Sequence, residues 1–409
     1  MMSFETLFDR YADLAVKVGV NVQPMQTLVV TAPLSTAPFV RKVAKKAYEA
    51  GAKHVHIEWT DDELTRMKYD LAPDEAFREY PQWKVQGLEE MAENGAAFLY
   101  ISAANPDLLK GVSLDRISTA NKTAGQALHK FRSYTMSDKV SWCVLAVPSP
   151  AWAAMVFPHL PQEEQELALW DAIFRATRAD MDDPVQAWHD HHATLNSKVD
   201  QLNAKQYRYL HYEAPGTNLT IELPANHIWI GGGSVNKDGA SFMANMPTEE
   251  VFTAPLKEGV NGTVRSTKPL SYHGNLIENF TLTFEKGRIV SATAEKGEES
   301  LKQLIETDEG SHYLGEVALV PHLSPISQSD IIFYNTLFDE NASNHLAIGN
   351  AYSVNIEGGA DMSNEELASR GINISLTHVD FMIGSAEMNI DGETADGKRE
   401  PLFRNGNWA

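Results

Sequence analysis

Two residues of the stretch LTHVDFMIGS pose the first chemical question. His378 and Asp380 stand two positions apart in a short apolar segment that reads as a β-strand. Alternate residues of a strand face one side, so both side chains project together while Val379 and Phe381 fill the opposite face. A buried imidazole or carboxylate without a partner is costly, so the pair must meet water, polar neighbours or a cation. Other candidate ligands are scattered upstream: Glu249 and Glu250 in MPTEEVFTAP, Glu316 in LGEVALVP, and Asp339, Glu340, His345 and Tyr352 in LFDENASNHLAIGNAY. Glu316 directly precedes an apolar run, which suggests a carboxylate at the edge of a buried strand. Carboxylates and imidazoles in this mixture suit divalent zinc, cobalt or manganese. Three or more carboxylates exceed the needs of one tetrahedral ion, so two ions sharing a bridging carboxylate are the economical arrangement.

The elements that must position these groups fall into two halves. Up to about Leu210, apolar β-segments (TLVVTAPL, HVHIEW, AAFLYISA, VSWCVLAV) alternate with helical ones, the pattern of a mostly parallel sheet flanked by helices. From YEAPGTNLTIELP onward short alternating segments dominate, FEKGRIV reads as a hairpin with a Lys-Gly turn, and GEESLKQLIETD as a helix. The expected organisation is an α/β domain over residues 1–210 and a β-rich α+β domain over 211–409 that carries the metal site.

Four segments in order, MPTEEVFTAP, GEVALVP, FDENASNHLAIGNAY and THVDFMIGS, resemble the signature regions of the aminopeptidase T / aminopeptidase S (PepS) family. The resemblance spans the chain in length and order and includes APGTNLTIELP at the domain junction. These are two-metal aminopeptidases. The resemblance implies metal ligands Glu250, Glu316, Glu340, His345, His378 and Asp380, with Glu316 as the bridge and Tyr352 at the metal centre. It implies two divalent ions per subunit (zinc, cobalt, manganese or magnesium), peptide substrates with a free N-terminus, and an elongated homodimer whose sites face an enclosed space. In such chemistry a carboxylate moves a proton from water to the departing amine, with Glu316 the first candidate and Glu249 the reserve. Tyr352 can donate to the tetrahedral oxyanion. Two other readings stand beside this one: a non-catalytic two-domain peptide- or solute-binding protein with a structural cation, and a different two-metal amidohydrolase.

Composition excludes some partners. A formal charge of −21 over 409 residues disfavours nucleic acid and anionic membranes. The single cysteine, Cys143, allows no intrachain disulfide and reads as a small core residue. The start is amphipathic without a basic leader, and no run of about 18 apolar residues occurs, so the cytoplasm is the expected compartment.

Several tempting motifs have plainer explanations. His189, His191 and His192 in WHDHHATL read as a solvated or interface helix rather than a metal site, and WIGGGSVN as a tight turn rather than a phosphate loop. His54, His56 and Glu58 share a strand face but find no further ligand motif in their domain, so a satisfied structural role is expected. Asn341-Ala342-Ser343 is a formal sequon that carries no weight without a secretion signal.

Overall fold

The structure, a computed structural model, describes residues 2–103, 105, 107–272 and 275–409. The chain divides into two compact units, one of Met1–His189 with Gly233–Pro247 and one of Asp190–Gly232 with Thr248–Ala409. The division lies inside the helix Pro184–Lys205, whereas the change of sequence character comes later, where that helix gives way to the strand Tyr209–Ala214.

In the first unit Thr27–Pro33 pairs in parallel with His54–Thr60 on one side and Ala97–Ser102 on the other, and Trp142–Ala146 extends the sheet. Leu28, Val29, Val30, Phe98 and Leu99 are almost fully buried, as a parallel sheet covered on both faces requires. The helices Ala37–Glu49 and Gln82–Glu93 supply connections between successive strands. A fifth parallel strand, Asn245–Met246, escapes the sequence pattern because two residues carry no periodicity. The glycine-rich stretch read as a tight turn instead holds two short strands, Ile230–Gly231 and Gly233–Val235. Cys143 is buried and burial pushes its thiol well above the ordinary value, which leaves it inert.

The second unit is antiparallel. Its larger sheet has eight strands and contains the expected hairpin Thr281–Glu285/Arg288–Thr293. Lys286 (φ 47°) and Gly287 (φ 79°) make the turn; a Cβ on Gly287 would fall 1.8 Å from Lys257 O, so only glycine fits there. The smaller sheet has five strands in the order His378–Met382, His345–Gly349, Leu314–Leu319, Val251–Thr253 and Ile230–Gly231. Among the described residues no helix is long and apolar enough to cross a membrane.

Candidate metal centre

The five-stranded sheet sorts its residues by face. Across three strands Glu316 stands opposite Ala347 and Ala347 opposite Asp380; one step along, Ala318, His345 and Met382 line up in the same way. Opposed residues share a face, and so do residues two apart. His378, paired with Gly349, therefore joins Glu316, His345 and Asp380 on one face. Phe252, opposite Ala318, lies on it too, and Glu250 precedes Phe252 by two positions. The other face presents Val251, Val317, Leu319, Leu346, Ile348 and Phe381, all in one apolar core. Each such side chain contributes about 1.5–3 kcal/mol on burial, which offsets the cost of holding carboxylates on the reverse side.

One irregularity makes the sorting possible. In an unbroken strand Leu314 and Glu316 would share a face. The register instead shifts between them, so that Leu314 pairs with Ile348 on the core face while Glu316 pairs with Ala347 on the other. Gly315 sits at the bulge, where a Cβ would lie 2.2 Å from Asn350 O and 2.4 Å from Gly349 O. Any side chain there would collide with backbone.

The ligand-type atoms converge. Glu250, Glu316 and His345 form one group and Glu316, His378 and Asp380 a second, each with its atoms within 4.8 Å of one another, and Glu316 belongs to both. His345 Nε2 is 3.0 Å from Glu250 Oε2 and 3.4 Å from Glu316 Oε1; His378 Nε2 is 3.3 Å from Asp380 Oδ1 and 3.6 Å from Glu316 Oε2. Each imidazole donates its Nδ1–H to a carbonyl, His345 to Ser343 O (3.2 Å) and His378 to Asn350 O (2.7 Å). Those bonds fix the rings and aim both Nε2 atoms into the cluster.

The electrostatics are those of a crowded, dry site. Burial raises the Glu316 carboxyl, with His345 pulling it down and Asp380 pushing it up. Burial, then Glu250 and Asp380, raise Glu340 well above the carboxylate range. Burial opposes ionisation of Asp380 too, yet His378 and His345 together hold it below its ordinary value. Burial disfavours the imidazolium of His378, but Asp380, Glu316 and the Asn350 carbonyl push it up to about 10; Glu250 and Glu316 likewise raise His345 well above the ordinary value. Tyr352, raised by burial and by Glu316 and Asp380, keeps its hydroxyl proton, with its ring centroid 5.0 Å from that of His378.

These residues fit divalent cations. Among the described residues no lysine or arginine lies within ion-pair distance of Glu250, Glu316, Glu340 or Asp380. Glu250 Oε2 and Asp380 Oδ1 are buried, and the nearest groups that answer them are the two imidazole Nε2 atoms, His345 at 3.0 Å and His378 at 3.3 Å, atoms that serve equally as ligands once deprotonated. The mixed oxygen and nitrogen donor set suits zinc-like ions.

Of the residues singled out in the sequence, Glu250, Glu316, His345, His378 and Asp380 come together in the two groups. Glu340 stands outside both but is buried in the same field. Asp339 turns elsewhere: its carboxylate accepts Phe333 N (2.8 Å) and Asn335 N (3.0 Å), and burial raises it to about 6. His191, read from the sequence as part of a solvated or interface helix, donates Nε2–H to Thr248 O (2.8 Å) and lies 3.6 Å from Glu249 Oε2, a contact that reading did not foresee. The histidine-rich WHDHHATL was the available signal, but nothing in its helical spacing points to a segment 57 residues away.

A family model described as thermophilic metalloprotease (M29) matches residues 4–408. The chain is 63% identical over 409 residues to aminopeptidase AmpS of Bacillus subtilis (strain 168), covering 100% of both proteins. It is 43% identical over 408 residues to aminopeptidase T of Thermus thermophilus, again covering 100% of each. The solved structure of wild-type AmpT from Thermus thermophilus superimposes with a TM-score of 0.94 at 42% identity, covering 100% of both chains.

Proposed function

The chain belongs to the thermophilic metalloprotease (M29) family, and from that premise we propose that it is a metal-dependent aminopeptidase releasing N-terminal residues from peptides. The observation that carries the reading is Glu316, the one carboxylate common to two buried acid–imidazole groups. We assign Glu250, Glu316, Glu340, His345, His378 and Asp380 as ligands of two divalent ions, with Glu316 shared. Zinc, cobalt, manganese and magnesium all suit such donors. Bound ions supply Lewis acidity for the scissile carbonyl and the attacking water.

The protein's own groups do the rest. Glu316 belongs to both halves of the site, and we take it as the first candidate for proton transfer between water and the departing amine, with Glu249 next in line. Tyr352, its ring centroid 5.0 Å from that of His378, donates its hydroxyl proton in a hydrogen bond to the oxyanion that develops on the substrate carbonyl. The excess of carboxylates over imidazoles attracts the substrate's α-ammonium, which a blocked N-terminus lacks. The same reading takes in a homodimer and the cytoplasm as its compartment.

The test is hydrolysis of leucyl-p-nitroanilide and of a leucyl peptide before and after chelation. Activity lost on chelation and restored by zinc, cobalt or manganese is expected, with the N-acetylated peptide untouched. A chelated chain that still hydrolyses at the original rate, or a metal-loaded one that never does, overturns the proposal.

A further inference from the structure

The sequon Asn341-Ala342-Ser343 turns out to be closed, because the Asn341 side chain is fully buried. Its carboxamide is used on both ends. Oδ1 accepts the main-chain N–H of Glu249 at 2.6 Å. Nδ2 donates to Leu337 O at 3.0 Å and to Glu340 Oε1 at 3.4 Å. The residue itself is pinned through its main chain, since Ser324 Oγ donates to Asn341 O at 2.9 Å. One side chain thus joins the Glu249–Glu250 segment to the Glu340 carboxylate across 92 positions of sequence.

Few side chains can do this. An amide offers an acceptor and two donors at once, so it can take a backbone N–H on one side and face a carboxylate on the other. Aspartate would keep the acceptor for Glu249 N but turn a second carboxylate toward Glu340. An apolar residue would leave Glu249 N buried and unmet, which destabilises the segment that carries Glu250.

We infer that Asn341 is a positioning residue for the metal centre, setting the distance between Glu250 and Glu340 without touching ion or substrate. The inference rests on the function proposed above. Outer-sphere groups that orient ligands typically govern about 10–100-fold in metal affinity or activity.

The experiment compares the full-length wild type with Asn341→Ala, Asn341→Asp and Asn335→Ala. Asn335 is the control: its side chain caps the short helix Thr336–Asp339 by accepting Leu337 N, and its hydrogen bonds reach neither Glu249 nor Glu340. Zinc affinity by chelator competition, kcat and KM for leucyl-p-nitroanilide, and thermal unfolding of the metal-free chain are measured for each. Both Asn341 variants should bind zinc about 10–100-fold more weakly and lose kcat by a similar factor, with KM little changed. Asn335→Ala should unfold at lower temperature yet bind zinc as the wild type does. If Asn341→Ala does not fold, Asn341→Asp, which retains the bond to Glu249 N, carries the same expectation. Wild-type zinc affinity in the Asn341 variants overturns the inference, and so does an equal loss in Asn335→Ala, which would reduce the effect to local folding. A wild-type chain that neither binds zinc nor hydrolyses the substrate overturns the proposed function itself.

Discussion

Two strands of this molecule carry histidine and carboxylate in the same alternating pattern, and the two meet different fates. In His54–Thr60 the groups are His54, His56 and Glu58; in His378–Met382 they are His378 and Asp380. The first strand is at the edge of its sheet. His56 Nε2 meets Glu58 Oε1 at 2.7 Å with the imidazole side chain 47% exposed, and Lys84 Nζ closes on Glu58 Oε2 at 2.8 Å. The set is thereby neutralised by a cation the protein carries itself. The second strand is paired to one that brings His345, and through it to one that brings Glu316; Asp380 and Glu316 are buried, and no lysine or arginine among the described residues answers them. Alternation alone therefore does not make a metal site. Burial, convergence from neighbouring strands and the lack of a lysine or arginine among the described residues are what single out the second set as a candidate.

The largest effect should come from removing the group that the buried cluster shares. Glu316→Ala takes one member from both triads, and loss of a proton-transfer group typically costs about 10²–10⁴-fold in rate. We expect turnover of leucyl-p-nitroanilide to fall by at least that factor and metal per chain to drop, both measured on protein whose circular dichroism is unchanged. Near-normal turnover would dissolve the contrast between the strands, since the buried set would then be as idle as the exposed one.

How far the sequence discloses this contrast depends on the length scale of the signal. The parallel sheet of the first unit is legible because its strands are apolar runs separated by helices. The hairpin at Lys286–Gly287 is legible because its turn needs positive φ. The sharing of one face by His378 and Asp380 follows from the period of a strand. What could not be read is pairing between strands: that Ala347 lies between Glu316 and Asp380, or that a bulge at Gly315 separates Leu314 from Glu316, depends on register, which no local pattern contains. His191 and Asn341 stayed hidden for the same reason, as each acts on a residue remote in sequence.

A second difference between the strands concerns protons. In the metal-free chain His378 is pushed up to about 10, so it carries a proton at pH 7, and His345 is raised as well. A cation ligated by Nε2 must displace that proton. Calorimetric titration of the metal-free chain with zinc at pH 7, in buffers of different ionisation enthalpy, should therefore register release of at least one proton per chain. Affinity should rise about tenfold per pH unit for each proton released, flattening as pH approaches 10. For the metal-free fold the sign is opposite. A raised imidazole contributes stability fully below pH 6.5, its ordinary value, and loses it as pH climbs through about 10. Binding without proton release would mean that the imidazoles are not the atoms the ion meets.

The smallest effect should come from the exposed strand, and it is the one that isolates the cause. Lys84→Ala removes the lysine that closes on Glu58 and leaves the His56–Glu58 pair in place. Burial works against ionisation of Glu58, but Lys84 and His56 hold its carboxyl below the ordinary value. A group lowered in this way contributes stability above about pH 4.5 that fades as pH falls, so the variant and the wild type should converge in acid. Near neutrality the loss should be at most about 1 kcal/mol, because a partly exposed ion pair is screened by solvent. Peptidase rate and metal content should not move. Stripping the lysine recreates on the sheet edge the missing counter-charge of the buried site while withholding its burial and its third strand. If metal per chain nevertheless rose in Lys84→Ala, absence of a lysine would be enough to recruit an ion, and neither burial nor cross-strand convergence would be what separates the two strands.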